Sequence, residues 1–360
     1  MSKLNIFLTG STGFLGGKLM KNLLKDTNHH LFVLARNRQK ASELKSTFTS
    51  TEQNRIHLLI GDITRPNCGL QAEQIKDLEG NVDCFYHSAA LVKFDQHLRD
   101  ELFAINYDGT KNALELARVM DVQKFYYVST AYTVGQRSKG VEQLYSPAVS
   151  YNNPYEESKV KSEHLVFSYK NEMEVSIFRP SIIVGDSNTG EADSQFTLYG
   201  FMRALDVFKR KILRKETTLN TTYRIIANRA GTSNFVPVDY VAEVLSLALL
   251  NAEKNKIYHI TNPKPPSNWE LINMFKQALS FDRLSIVENF ENYKLSAEEE
   301  KLNRMVDVFK VYLATNIEFE DHNTQKLIHN TQVTHLNMSN DTIQMIINAY
   351  FKTNQNLWGV

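Results

Sequence analysis

The amino-acid sequence predicts an α/β protein: a doubly wound parallel sheet followed by a smaller, mainly helical region. Two patterns point to it. The chain opens with an apolar run, Leu4-Asn5-Ile6-Phe7-Leu8, that passes through Thr9 into Gly10-Ser11-Thr12-Gly13-Phe14-Leu15-Gly16, with Leu19, Leu23 and Leu24 at helical spacing behind it. A strand, a glycine turn and a helix in that order bring helix N–H groups and the helix dipole to face an anion. The second pattern is recurrence. Apolar runs return at Leu31 to Ala35, Ile56 to Ile60, Val82 to His87, Lys124 to Ser129 and Val175 to Arg179, separated by stretches such as Leu114, Leu116, Ala117 and Met120. Alternation of this kind builds a Rossmann-type sheet, whose ligands bind beyond the carboxyl ends of the strands.

Composition narrows the function classes. A chain of 360 residues with 42% hydrophobic content can bury a large α/β core and a smaller second one. Lysine and arginine (41) nearly balance aspartate and glutamate (40), so no overall charge draws the protein to nucleic acid or to a membrane surface. Two cysteines, Cys68 and Cys84, lack metal-ligand spacing, and no metal is expected. The first strand starts by Leu4, which argues against a signal peptide, and no apolar run is long enough to span a bilayer. A reduced, cytoplasmic protein without stable membrane insertion is expected. The boundaries read as 1–185, completed by 235–262, for the dinucleotide domain, and 186–234 with 263–360 for a substrate-binding or cap region.

Within the glycine turn, Gly10 allows the tight bend, Gly13 lets the backbone approach a pyrophosphate, and Gly16 brings helix against strand. Twenty residues past Gly16, where an NAD enzyme usually carries an acid for the ribose 2′-hydroxyl, stands Arg36, with Arg38 and Lys40 close behind. A cation there suits the 2′-phosphate of NADPH. Farther on, Asn153 is suited to cap a helix that Pro154 begins. Tyr155 and Lys159 then share one face, four residues apart, where an ammonium lowers a phenol pKa from about 10 and makes it a usable proton donor.

Thr9 to Gly16, with GxxGxxG spacing, resembles the nucleotide loop of the extended short-chain dehydrogenase/reductases, and the Tyr155–Lys159 pair follows in that family's order. The resemblance implies a cofactor lying on Thr9, Gly10, Ser11, Thr12, Gly13, Phe14, Leu15 and Gly16. It also implies an adenine contact at Asp62 and Ile63, close backbone passage at Ser88, Ala89 and Ala90, and further contacts at Ser129, Arg179, Pro180 and Ser181. Thr130, five residues before Gly135, is implied to hydrogen-bond the reacting carbonyl, and Asn106 to support Lys159 and a proton-relay water.

The segment Arg179-Pro180-Ser181-Ile182-Ile183-Val184-Gly185-Asp186-Ser187-Asn188-Thr189-Gly190 is similar to one branch, the thioester reductases and fatty acyl-CoA reductases, including terminal reductase domains of peptide synthetases. That branch reduces acyl groups held on CoA or on a carrier protein, so acyl-CoA or acyl carrier protein is the implied partner, with a homodimer as one assembly it allows. With no adenylation or carrier domain in the sequence, the thioester is expected to arrive on a separate molecule. The alternatives are another oxidoreductase of the same scaffold acting on a hydroxysteroid or aldehyde, a sugar-nucleotide epimerase or dehydratase, or a non-catalytic NADP sensor. Phe319 to Thr324 resembles a stretch near the branch's C-terminus and receives no role. Arg203, Lys209, Arg210, Lys211, Arg214 and Lys215 form a basic cluster, either a solvated face or a landing patch for the carrier. Two amphipathic helices are expected, over Leu302 to Leu313 and over Ile343 to Phe351.

Overall fold

The six apolar runs become strands β1 (Asn5–Thr9), β2 (His30–Ala35), β3 (Ile56–Ile60), β4 (Cys84–His87), β5 (Lys124–Val128) and β6 (Glu174–Pro180), and a seventh strand, β7 (Lys256–Ile260), joins their sheet. The structure is a computed structural model describing residues 3–25, 27–192, 197–214, 221–288 and 294–357. All neighbours pair in parallel, in the order β7-β6-β5-β4-β1-β2-β3. The winding reverses between β1 and β4, where Thr9 lies opposite His87. A crevice opens at such a switch point, beyond the strand ends.

Side chains alternate across this sheet and fill two layers. On one face the rings of Phe7, Phe85 and Phe125 stack across β1, β4 and β5 with centroids 4.6 and 5.1 Å apart, and Ala113, Leu114 and Ala117 of the Gly109–Val119 helix join their cluster. On the other, Tyr86 and Tyr126 donate hydrogen bonds to the carbonyls of Leu245 (2.7 Å) and Ala248 (2.9 Å) in the Val238–Asn251 helix. Each buried phenol thus meets a carbonyl, which removes the cost of an unpaired polar group.

The contacts divide the chain into two units. The first comprises Met1–Ser181, Val238–Thr261 and Phe319–His335, the second Ile182–Pro237, Asn262–Glu318 and Leu336–Val360. Residues 319–335, grouped with the cap on sequence grounds, thus return to the sheet. Asn323 Nδ2 donates to Ile257 O (2.8 Å) and Thr324 Oγ1 to His259 O (2.6 Å), which fastens the stretch along β7.

The second unit has its own core, in which Met202, Leu205, Ile272, Leu302, Ile343 and Ile347 are buried together. The helix at Ile343 to Phe351 forms within Asn340–Leu357. The one expected over Leu302 to Leu313 is broken: Ala297–Met305 ends at Val306, and a turn at Asp307–Phe309 leads into a short helix, Lys310–Ala314. Packing overrides periodicity here, because the break lets Phe309 set its ring edge-on against Phe201 at 5.8 Å. The basic cluster is smaller than its sequence suggests. Arg210 pairs with Asp206, Lys209 donates to the Leu279 carbonyl, and Lys215 lies outside the described residues.

Arg224 anchors the Ala297–Met305 helix through Glu299. Its Nε and Nη2 donate to Glu299 Oε1 (2.5 Å) and Oε2 (2.9 Å), and its backbone N–H donates to Oε1 (3.1 Å). These bonds outweigh the opposing effect of burial and hold the carboxyl down to about 2 from an ordinary 4.5. A depressed carboxylate contributes stability that is present above the unfolded value and lost as pH falls through the folded one. Glu299→Gln should therefore lower stability at neutral pH by about 2 kcal/mol and flatten the acid slope between roughly pH 4.5 and 2. Urea titrations at a series of pH values would measure both, and an unchanged acid slope would refute the assignment.

Candidate active site

The glycine turn after β1 is shaped by two close approaches. Gly10 adopts φ +77°, and a Cβ there would lie 2.6 Å from the Ala89 backbone nitrogen; a Cβ on Gly16 would sit 2.6 Å from Ser11 Cα. Neither position has room for a side chain. The Phe14–Leu24 helix starts directly at this turn with no side-chain cap on its N-terminus and no acid in its first turn. Ser11 is buried, and its Oγ finds no hydrogen-bond partner among the described residues. A helix N-terminus with no side-chain cap, an orphaned hydroxyl and a cradle that any Cβ would fill suit a pyrophosphate. Thr12 and Gly13 are exposed and Phe14 half-buried, while Leu15 packs inward.

At the end of β2, Arg36 is exposed and Asn37 caps the next helix by accepting from the Lys40 N–H (3.0 Å), so Arg38 opens the helix. Across from it, burial would raise the Asp62 carboxyl, but hydrogen bonds from Thr64 N and Oγ1, both 2.9 Å, and the charges of Arg36 and Arg65 hold it below its ordinary value. Ile63 packs into the core beside Gly109, and its carbonyl accepts from Asn112 Nδ2.

A chain of hydrogen bonds runs from the glycine turn to the helix that carries Tyr155. Thr9 Oγ1 lies 2.7 Å from His87 Nδ1, and His87 Nε2 lies 3.1 Å from Thr110 Oγ1. Thr110 spends its own proton on the Asn106 carbonyl (2.6 Å), so His87 must donate through Nε2 and accept at Nδ1. Burial pushes this imidazole down to about 3, which keeps it neutral. Ser88 Oγ donates to Thr9 O and Ala89 N to Thr9 Oγ1, which holds the half-buried Ser88, Ala89 and Ala90 beside the turn.

Asn106 lies in a π-helical turn, Ala104–Asp108, and its side chain is fully used. Oδ1 accepts from Leu91 N (2.8 Å), and Nδ2 donates to Leu91 O and to Ser158 Oγ, both at 3.0 Å. Its carbonyl also accepts from Ser162 Oγ (2.9 Å). The residue expected to support Lys159 instead clamps the loop after β4 onto the Pro154–Ser168 helix.

That helix begins where capping chemistry places it. Asn153 accepts from the Glu156 N–H (3.0 Å), and Pro154 takes the first position. The Lys159 ammonium donates to the Val128 carbonyl at the end of β5 (2.7 Å) and lies 4.3 Å from the Tyr127 ring centroid. Burial draws its pKa down to about 7, against the opposing charge of Glu163. Tyr155 is hydrogen-bonded to Thr130, and Phe94 packs edge-on to its ring at 5.9 Å. Burial raises its phenol and only Thr130 pulls it down, so the group keeps its proton at neutral pH. Thr130 is held in place as the acceptor for Tyr132 N.

Beneath this helix lies a buried ion pair. Arg179 donates through Nε to Glu163 Oε1 (2.8 Å) and through Nη2 to Oε2 (2.6 Å), with both side chains fully buried. Ser129 Oγ donates to Glu163 Oε1 (2.6 Å), and the guanidinium also reaches the carbonyls of Val141 and Gln143. The side chains of Ser129 and Arg179, expected along the cofactor, are thus spent on each other's frame. Pro180 ends β6 and Ser181 follows, its Oγ buried without a hydrogen-bond partner among the described residues. Glu163 and His87 escaped the sequence reading. Glu163 carried a signal, standing four residues past Lys159 on one helix face, whereas His87 looked like the end of an apolar strand.

A parallel sheet that carries this glycine turn at its switch point defines an NAD-binding fold of the Rossmann type. The chain belongs to the NAD-binding family described as male sterility protein, whose model matches residues 8–245. It is 25% identical over 315 residues to a linear gramicidin synthase of Brevibacillus parabrevis, covering 82% of this chain and 6% of that protein. It is 26% identical over 296 residues to fatty acyl-CoA reductase wat of Drosophila melanogaster, covering 70% of this chain and 55% of that one. The chain therefore spans about half the length of one such relative and a small part of the other. The crystal structure of the terminal R domain from the myxalamid PKS-NRPS pathway superposes with a TM-score of 0.78 at 22% identity, over 99% of this chain and 92% of that one. Among the described residues, no helix is long and apolar enough to cross a membrane.

Removing one member of a buried ion pair strands the other. Arg179→Met should cost about 3 to 5 kcal/mol, read as a lower urea midpoint, and adding Glu163→Gln should recover part of the loss. A midpoint unchanged by Arg179→Met would remove the pair from its structural role.

Proposed function

We propose that the chain is an NADPH-dependent reductase of acyl thioesters, acting on an acyl-CoA or a carrier-bound acyl group and releasing the aldehyde, which it reduces further to the alcohol where the product is retained. The observation that carries the reading is the Tyr155–Thr130 hydrogen bond at the carboxyl edge of β5, beside Lys159 and on the same sheet edge as the glycine turn. The acyl thioester is supported by relatives that include a fatty acyl-CoA reductase. The 2′-phosphate is supported by Arg36, Arg38 and Lys40 around a helix N-terminus, with no acid at the end of β2.

The cofactor, when bound, supplies the hydride. Ser11, the N–H groups of Thr12 and Phe14 and the start of the Phe14–Leu24 helix would hold its pyrophosphate, and Arg36 its 2′-phosphate. Thr130 and Tyr155 would donate hydrogen bonds to the thioester carbonyl oxygen, and Tyr155 would protonate it as charge develops. The resulting hemithioacetal collapses to an aldehyde and a free thiol. Lys159, fixed by Val128, would place positive charge behind Tyr155.

Three outcomes test this. Thiol release should match NADPH consumption when acyl-CoAs or acyl carriers are supplied; NADPH oxidation by sugar nucleotides or steroids with no thiol released from any thioester would overturn the reading. Tyr155→Phe should bind NADPH normally but slow reduction by about 10²- to 10⁴-fold. Arg36→Ala should weaken NADPH by roughly 10- to 100-fold, the loss of one charge-assisted hydrogen bond, while sparing NADH. Equal losses for both cofactors would argue against the 2′-phosphate role.

A further inference from the structure

Lys159 carries a buried charge with little to solvate it. The side chain is 1% exposed, and an ammonium has three donors. Among the described residues, the Val128 carbonyl at 2.7 Å is the one hydrogen-bond acceptor it meets. Burial works against the charge and Glu163 for it, yet the Glu163 oxygens are taken by Arg179 and Ser129. The remaining contact is a ring: Nζ lies over the face of Tyr127, 4.3 Å from its centroid.

Tyr127 is placed for that face. Its hydroxyl lies near those of Thr110 and Ser162, which both donate to the Asn106 carbonyl, and it forms no well-directed hydrogen bond with any described residue. The ring is held from β4, where His87 stands opposite in register with its imidazole 20° from the ring plane and centroids 5.7 Å apart. Thr9 and Thr110 fix that imidazole at both nitrogens, and burial keeps it neutral, so it does not repel Lys159. Burial also pushes the Tyr127 phenol up, against weaker pulls from Ser162 and Thr110, and the ring stays uncharged. The face of a neutral aromatic ring attracts a cation, most strongly where water is excluded.

The charges on the elements packed against the Pro154–Ser168 helix are exposed or matched. Asp100, Glu101, Asp108, Lys111 and Glu174 are exposed, Glu115 is paired with Arg118, and Arg179 is matched by Glu163. On the helix itself Tyr155 keeps its proton, Glu156 accepts from Asn152 N, and Glu157 pairs with Arg99 and Lys161.

We propose that Tyr127 is a positioning residue of the site, the face of its ring holding the Lys159 side chain in place and in its charged form. The use made of that charge rests on the reductase reading; the contact itself does not. The ring acts through Lys159 and touches no reacting atom.

The test follows the lysine directly, by NMR titration of the full chain carrying carbon-13 at the lysine ε-carbons, with Lys159→Met identifying the signal. Tyr127→Phe keeps the face and is the reference. Mono-, di- and trifluorinated phenylalanines incorporated at position 127 keep the ring's outline while draining its face of negative charge. The Lys159 midpoint should match that of the unaltered chain in Tyr127→Phe and fall with each fluorine, by about one pH unit in all, a roughly tenfold loss of the charged form. An ammonium is lost as pH rises through its pKa, so the alkaline decline of kcat with acyl thioester and NADPH should begin at lower pH in the same order, with KM little changed. A midpoint indifferent to fluorination would overturn the proposal, and so would one that Tyr127→Phe alone lowers to the same extent, since the hydroxyl would then be responsible. A midpoint that tracks fluorination in a chain that reduces no thioester would uphold the contact and sink the reductase reading.

Discussion

The Glu163–Arg179 ion pair is the constraint on which the site depends. Two charges taken wholly out of water are tolerable only when geometry is good and the remaining lone pairs and protons are satisfied. Here they are: Ser129 fills one carboxylate oxygen, and the Val141 and Gln143 carbonyls together with His259 take the rest of the guanidinium. Because Ser129 follows β5, Arg179 lies on β6 and Glu163 on the Pro154–Ser168 helix, satisfying the pair fixes three elements at once. Thr130 and Lys159 are then carried on elements that cannot shift without breaking it.

The pair extends to β7. Arg179 Nη1 lies 3.4 Å from His259 Nε2, and His259 Nδ1 lies 2.6 Å from the Glu320 carbonyl. Burial and the neighbouring Arg179 charge push His259 down to about 3, so the ring is neutral and carries one proton between two neighbours. The Arg179 guanidinium can only donate, so Nε2 accepts and Nδ1 donates. Glu142 completes the joint by accepting from the N–H groups of His259 (2.9 Å) and Asn323 (2.7 Å). The Phe319–His335 stretch is thus held by polar bonds that only a fully formed β7 provides.

What the sequence made legible follows from how local each signal is. Strand runs, the glycine turn and the Asn153–Pro154 helix start depend on neighbours a few residues away, and they stand where the pattern places them. The roles of Asn106, Ser129 and Arg179 do not. Each polar side chain could face a ligand or another buried group, and only the fold brings Leu91 to Asn106 or Glu163 to Arg179. The return of residues 319–335 to the first unit was hidden for the same reason, since Asn323 and Thr324 bind carbonyls some sixty residues earlier in the chain. The break at Val306 shows the converse: helical spacing from Leu302 to Leu313 is real, but tertiary packing of Phe309 outweighs it.

Burial acts in opposite ways on the charge of the two residues that share this helix face. Tyr155 is buried deeply enough that its phenol holds its proton well beyond neutral pH, while Lys159, buried just as deeply, has its pKa drawn to about 7. The two shifts have the same cause and opposite effects: burial disfavours phenolate and ammonium alike. Glu163 partly restores the Lys159 charge, and the same carboxylate is tied to Arg179. The pair that fixes the frame therefore also sets how much positive charge Lys159 carries. Glu163 thus serves both the frame and the charge on Lys159, and a substitution there changes the Lys159 charge even where the fold survives it.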